Sequence, residues 1–171
     1  MSIEPFEITP SKEWSDDRWY RDQVNRSFIP NKGFLIINDG QAEGKLLGGN
    51  LCTLNLLQGA EYMPSLAGSI LLLEDDYESK PAIFDRDLQS LIHLPGFERV
   101  KGLVIGRFQK RSKMKQEMLV KLIKNKKELK SIPVIANADF GHTTPQFTFP
   151  IGGQGRLAVA DGKVSFTVVE H

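Results

Sequence analysis

The chain has 171 residues with 22 basic and 21 acidic side chains, a formal charge of +1, and 40% hydrophobic and 25% charged content. That length suits one domain with a sizeable core, the composition excludes disordered and fibrous classes, and near-neutrality leaves no field to draw in nucleic acid or an anionic bilayer. Cys52 has no second cysteine to pair with, no apolar run nears the roughly 20 residues of a membrane span, and "MSIEPFEITPSKEW" lacks the basic-then-apolar order of a signal peptide, so a cytoplasmic protein is expected.

Residues 1–32 are rich in charge and aromatics without a period of two or 3.6, which predicts an irregular arm. Within it Ser15 or Asp16 could cap a short helix reaching Arg26 and carrying Trp19 and Tyr20. The remainder, 33–171, reads as one domain. "GFLIIND" (33–39) and the glycine-broken "GKLLGGNL" (44–51) read as strands, followed by a helix over 52–58 that Gly59 ends. "GSILLLEDD" (68–76) is a buried strand whose far end opens into an acidic cluster. A helix follows in "PAIFDRDLQSLIHL", with Ile83, Leu88, Leu91 and Ile92 on one face. "VKGLVIGRF" (100–108) and "IPVIANADFG" are further buried strands, separated by an amphipathic helix marked by Met114, Met118, Leu119, Leu122 and Ile123. "GRLAVADGKVSFTVVE" alternates on both sides of Asp161-Gly162, a hairpin signal. Strands alternating with helices and then a terminal hairpin predict an α/β domain with a mixed sheet.

Three polar clusters fall at strand ends: Asn50, Glu74-Asp75-Asp76, and Asp139 to His142. Open sheets bind ligands outside the carboxyl ends of their strands, so these clusters are candidates for one site. Glu74 could orient the His142 imidazole and steady its protonated form, making a general base. By default, however, a lone loop histidine is an ordinary surface or hydrogen-bonded side chain, and an acidic strand end is a solvated one.

Other chemistries fit poorly. His93, His142 and His171 have no zinc spacing, so neither a metal nor another cofactor is expected. "GGQG" (152–155) lacks a GK[ST] ending and precedes a hairpin, and the lysines of 110–130 form one wet helix face. Trp14 and Trp19 are either core anchors or a stacking surface for a flat ring. No nucleophile stands out: there is no GxSxG elbow, Ser69 opens a buried strand, and Cys52 lies in an apolar stretch.

The ordered blocks "EWSDDRW", "LLGGNLCTLNLLQGAEYMP", "GSILLLEDD", "FDRDLQSL", "VKGLVIGRF" and "FGHTTPQFTFPIG" resemble the serine LD-carboxypeptidases, nearer the microcin C self-immunity (MccF-like) branch than the murein branch. The resemblance implies a Ser-Glu-His triad with Glu74 and His142, 68 residues apart, as its acid and base. It also implies that the serine belongs to a separate N-terminal nucleophile domain, so that this chain is a swivelling β/β/α-type C-terminal domain, inactive alone. Asn50 would lie near the substrate, and Trp14 or Trp19 would stack on a nucleotide base. Where some relatives carry a basic residue one turn past the glutamate, this chain has Glu78. The implied substrate is a peptide or peptidyl-nucleotide and the implied assembly a homodimer, with no nucleic acid or membrane partner. The rival reading is a stand-alone binding or oligomerisation module without catalysis.

Overall fold

The structure, a computed structural model, describes residues 4–170; His171 lies outside them. Its strands in chain order are β1 (Phe6–Glu7), β2 (Glu13–Trp14), β3 (Ile29–Pro30), β4 (Leu35–Asn38), β5 (Gly40–Asn50), β6 (Ser69–Glu74), β7 (Gly102–Gly106), β8 (Val134–Ala138), β9 (Gln154–Ala160) and β10 (Lys163–Glu170). The α-helices are α1 (Leu51–Asn55), α2 (Pro81–Ile92) and α3 (Gln116–Lys124). Eight strands form one sheet in the order β1-β10-β9-β5-β6-β7-β8-β4, and β2 pairs with β3 beside it.

The sheet is mixed. Its middle, β5-β6-β7-β8, is parallel; β4 joins one side antiparallel to β8, and β9, β10 and β1 extend the other antiparallel. Strands covered on both faces read as unbroken apolar runs, and all six residues of β6 are buried. Successive side chains point to opposite faces. Leu71 and Leu73 therefore pack with Phe84, Leu88, Leu91, Leu119 and Ile123 of the helical layer. Ile70 and Leu72 pack instead with Leu46, Leu157, Phe166, Phe140 and Ile8, where the hairpin, the arm and the 139–149 segment cover the other face. Glu74 ends β6 in register with Asn50 of β5.

Each predicted strand and the hairpin is present. Asp161 and Gly162 both adopt positive φ, as a two-residue turn between Ala160 and Lys163 requires. The helices differ in detail. The one expected over 52–58 is the shorter α1, followed by turns to Gly59. In α2 the buried face is Phe84, Leu88, Leu91 and Ile92, with Phe84 taking the place expected for Ile83. His93 is the exposed C-cap residue of that helix.

No helix forms between Ser15 and Arg26. The segment is a succession of turns: Ser15 makes a cap-like bond, but the acids that follow it bond to other parts of the chain. The Ser15 hydroxyl accepts from Asp17 N, Asp16 accepts from Lys110 N at 2.7 Å, and Asp17 takes the Arg26 guanidinium at 2.8 Å and Ser27 N at 2.9 Å. Arg26 thereby holds the Asp17 carboxyl down at about 2. Nor does the segment own an apolar stripe, since Trp19, Tyr20 and Val24 are all exposed.

Phe84 is fully buried and meets Phe108 edge-on at 4.9 Å between ring centroids. Phe84→Ala is expected to destabilise the domain by about 3–5 kcal/mol, read as a lowered urea midpoint at unchanged slope.

Candidate active site

Parallel alignment of β5 to β8 brings the three polar clusters to one rim of the sheet. Glu74, at the end of β6, is buried, and its carboxylate accepts a hydrogen bond from His142 Nδ1 at 2.7 Å. His142 sits in the loop that follows β8, with its side chain 45% exposed. A carboxylate partner at Nδ1 fixes the proton there in the neutral ring and leaves Nε2 as the free base. Among the described residues no hydroxyl or thiol bonds to the ring. The Glu74 hydrogen bond raises the His142 pKa above its ordinary value; burial opposes this, and the charges of Glu74, Asp76 and Asp75 add to it.

Two glycines make the contact possible. A Cβ at Gly141 would stand 2.4 Å from Glu74 Oε2, and at φ +97° an L side chain would be strained as well. A Cβ at Gly106, on the neighbouring strand, would stand 2.7 Å from Glu74 Cβ. The Glu74 side chain lies in the space that both leave open. The loop closes on itself where Gln146 Nε2 donates to Gly141 O.

Asn50 joins the same rim as the N-cap of α1. Its Oδ1 accepts from Thr53 N at 2.9 Å and Thr53 Oγ1 at 3.0 Å, and its Nδ2 donates to Asp75 Oδ1 at 3.2 Å. The amide is thus oriented from both ends, with one N–H left for a ligand. Burial pushes the Asp75 carboxyl up, offset in part by the hydrogen bonds it accepts from Asp76 N and Asn50.

The two tryptophans part company. Trp19 lines a cavity of about 660 Å³ together with His142, Tyr20, Tyr77 and Arg111, whose guanidinium lies 4.1 Å from the Tyr77 ring centroid. Trp14 lies in a different cavity, its ring contacted by Arg107 at 4.9 Å and Lys110 at 5.8 Å. Sequence reasoning assigned nothing to Arg107, and placed Asp75 and Asp139 in the strand-end clusters without a role of their own. Among the described residues, no group of three His, Cys, Asp or Glu is placed to hold a metal ion, and no helix is long and apolar enough to cross a membrane.

A buried carboxylate clamped to a loop imidazole at a sheet rim has the geometry of an acid-base pair, and relatives share the fold that carries it. The profile of the LD-carboxypeptidase C-terminal domain matches residues 43–157. The chain belongs to the LD-carboxypeptidase family. A putative carboxypeptidase of Bacillus subtilis, YocD, is 56% identical over 170 residues, covering 99% of this chain and 52% of that protein. The crystal structure of an MccF-like protein from Bacillus anthracis is 49% identical with a TM-score of 0.95, covering 98% of this chain and 52% of that one. The microcin C7 self-immunity protein MccF of Escherichia coli is 29% identical over 172 residues, 95% of this chain and 48% of that protein. Its complex with aspartyl sulfamoyl adenosine superposes with a TM-score of 0.79 at 27% identity, over 99% of this chain and 51% of that one. The chain thus spans about half the length of these LD-carboxypeptidase relatives.

Glu74→Gln is expected to lower the His142 pKa, followed by its imidazole proton shifts against pH; an unchanged titration would show that Glu74 does not control the ring. Because the folded pKa lies above the unfolded value of about 6.5, the pair's stabilisation is fully present below that value. It fades as pH rises through the raised folded pKa, so the wild-type advantage over Glu74→Gln should shrink in urea melts toward alkaline pH.

Proposed function

We propose that Glu74 and His142 are the acid and base of a Ser-Glu-His triad in a serine carboxypeptidase, completed by a serine from a nucleophile domain beyond this chain. The observation that carries this reading is the 2.7 Å bond from Nδ1 to a buried carboxylate, which leaves Nε2 as a base beside a cavity. In the reaction Nε2 takes the serine proton as Oγ attacks the scissile carbonyl carbon. Glu74 holds the resulting imidazolium through Nδ1–H, and Nε2 then protonates the departing amine. Water, deprotonated by the same nitrogen, releases the acyl group. Asn50 offers its remaining N–H to a substrate oxygen at the rim.

The substrate class we propose is a peptidyl-nucleotide or murein peptide, cleaved at an amide next to a free carboxylate. Trp19, Tyr20 and Tyr77 with Arg111 give the cavity flat rings and a cation, which favours the peptidyl-nucleotide. The complex of MccF with aspartyl sulfamoyl adenosine supports the same choice. Glu78 is exposed four residues past Glu74, which argues against selection for an acidic substrate side chain. A non-catalytic oligomerisation module draws its support from Leu56 and Tyr62, which are 78% and 75% exposed just beyond α1. The same two residues are where a homodimer or the nucleophile domain would find an apolar surface. Sedimentation that shows a monomer of this chain would remove the module reading.

In the full-length enzyme, His142→Ala is expected to lower kcat by roughly three to four orders of magnitude; normal turnover would refute the role. The 171-residue chain by itself should not hydrolyse either substrate, since it would lack the nucleophile and the oxyanion donors. Catalysis by the purified chain would contradict that division of labour. Activity of the full-length enzyme should rise with pH through the elevated His142 pKa, because only the unprotonated ring accepts the serine proton.

A further inference from the structure

His142 is held by more than Glu74. Its loop is tied to the N-terminal arm on both sides, three residues before the histidine and two residues after it. Before it stands Asp139, 5% exposed, whose carboxylate accepts from Ser11 N at 2.8 Å, Ser11 Oγ at 2.9 Å and Asn31 Nδ2 at 3.2 Å. Arg107 of the segment after β7 completes the shell, with Nη2 at 3.0 Å and Nε at 3.3 Å from Asp139 Oδ1. The same Nη2 donates to Asn31 Oδ1 at 2.8 Å, so an arm residue bridges both members of the ion pair. After the histidine, Ser15 N donates to Thr144 O at 2.7 Å and Thr144 N returns to Ser15 O at 2.8 Å.

A second anchor closes the base of the loop, where Phe147 N donates to Asp139 O at 2.8 Å. Asp139 is therefore at once the arm's acceptor, the partner of Arg107 and the base of the loop. Buried polar networks of this kind hold one geometry only while every member is bonded. The arm makes no contact with the Glu74 carboxylate among the hydrogen bonds formed by the described residues. Through Asp139 and Thr144, its effect on the pair runs by way of the backbone that carries the ring.

We propose that Ser11, Ser15 and Asn31 of the arm, acting through Asp139 and Thr144, are positioning residues that hold the His142 imidazole against Glu74. The arm thereby has two tasks. It supplies Trp19 to the wall of the cavity and fixes the base that faces the same cavity. The inference deepens the triad reading, but its test needs no turnover, so failure of either can be seen without the other.

The test exploits chemistry. The charged groups around His142 are Glu74, Asp75 and Asp76 at the rim, with Asp16, Asp17, Arg18, Arg26 and Arg111 in the cavity wall. The double variant Ser11→Ala with Asn31→Ala alters none of them and adds no charge. Any change in the His142 titration then reports geometry. In this chain, the variant is expected to keep its far-ultraviolet circular dichroism while the His142 pKa loses at least half of the displacement that Glu74→Gln removes. Amide exchange at Thr144 should accelerate by about tenfold or more as the local opening becomes easier. Ser11→Thr with Asn31 intact, which retains the hydroxyl acceptor and donor, should restore both readouts. A folded double variant with unchanged His142 titration and unchanged Thr144 exchange would overturn the proposal.

Native-state hydrogen exchange on the unmodified chain decides the matter if the double variant does not fold. The amides of Ser15 and Thr144 form one reciprocal pair, so they are expected to open together and show equal protection. Protection at Thr144 that survives after Ser15 has exchanged would show the loop standing without the arm, and would overturn the proposal.

Discussion

The rim of the sheet is organised by one contact, the hydrogen bond from the His142 ring to the Glu74 carboxylate. A carboxylate this deeply buried is costly unless it is paired and hydrogen-bonded, and the loop after β8 supplies the partner. Much of the local backbone follows from that requirement. Gly106 and Gly141 lack side chains where Glu74 needs room, and the loop bends back so that Phe147 N reaches Asp139 O. Phe140, Phe147 and Phe149 then close over the face that carries Leu72 and Phe166. Packing energy on that face and the orientation of one imidazole are consequences of the same chain path.

The parallel strands give this contact its direction. Because β5, β6, β7 and β8 run the same way, the residues just past their ends share one edge, and Asn50, Glu74, Arg107 and Asp139 all project there. The rim consequently divides into two charge environments. Glu74, Asp75 and Asp76 surround the histidine and favour its protonated form. Arg107 is neutralised by Asp139 and serves as an internal tie instead. An imidazolium forming during proton transfer would be stabilised without any movement of the acids, which is the preorganisation that lowers barriers.

Much of this was legible in the sequence, for physical reasons. Runs such as "SILLL" and "LVI" have no polar face and are too short for a buried helix, which marks them as central strands, and Asp161-Gly162 offers the positive φ values of a tight hairpin. The rule that ligand groups gather past the ends of parallel strands pointed to Asn50, Glu74 and His142 together, and the structure does bring them to one edge. What stayed hidden depends on partners far apart in the chain. Ser15 and Asp16 look like helix-capping residues, yet the Ser15 backbone pairs with Thr144 and the Asp16 carboxylate accepts from Lys110 N. Arg107 and Asp139 are 32 residues apart in regions that read as strand ends, so nothing local announces their pairing. Spacing alone could not separate Trp14 from Trp19, because the arm lacks a period; only the fold puts one under Arg107 and the other beside His142. Asn50 reads as a polar strand end, and its capping bond to Thr53 appears only once α1 begins at Leu51.

The central claim is that this imidazole serves a serine carried on another part of the full-length protein. A fluorophosphonate probe tests it most directly, since it labels only a serine whose hydroxyl is activated by a base. Mass spectrometry of the labelled full-length enzyme should find one adduct, on a serine outside these 171 residues, with labelling abolished by His142→Ala and sharply slowed by Glu74→Gln. Labelling that proceeds unchanged without His142, or an enzyme that never reacts, would contradict the account.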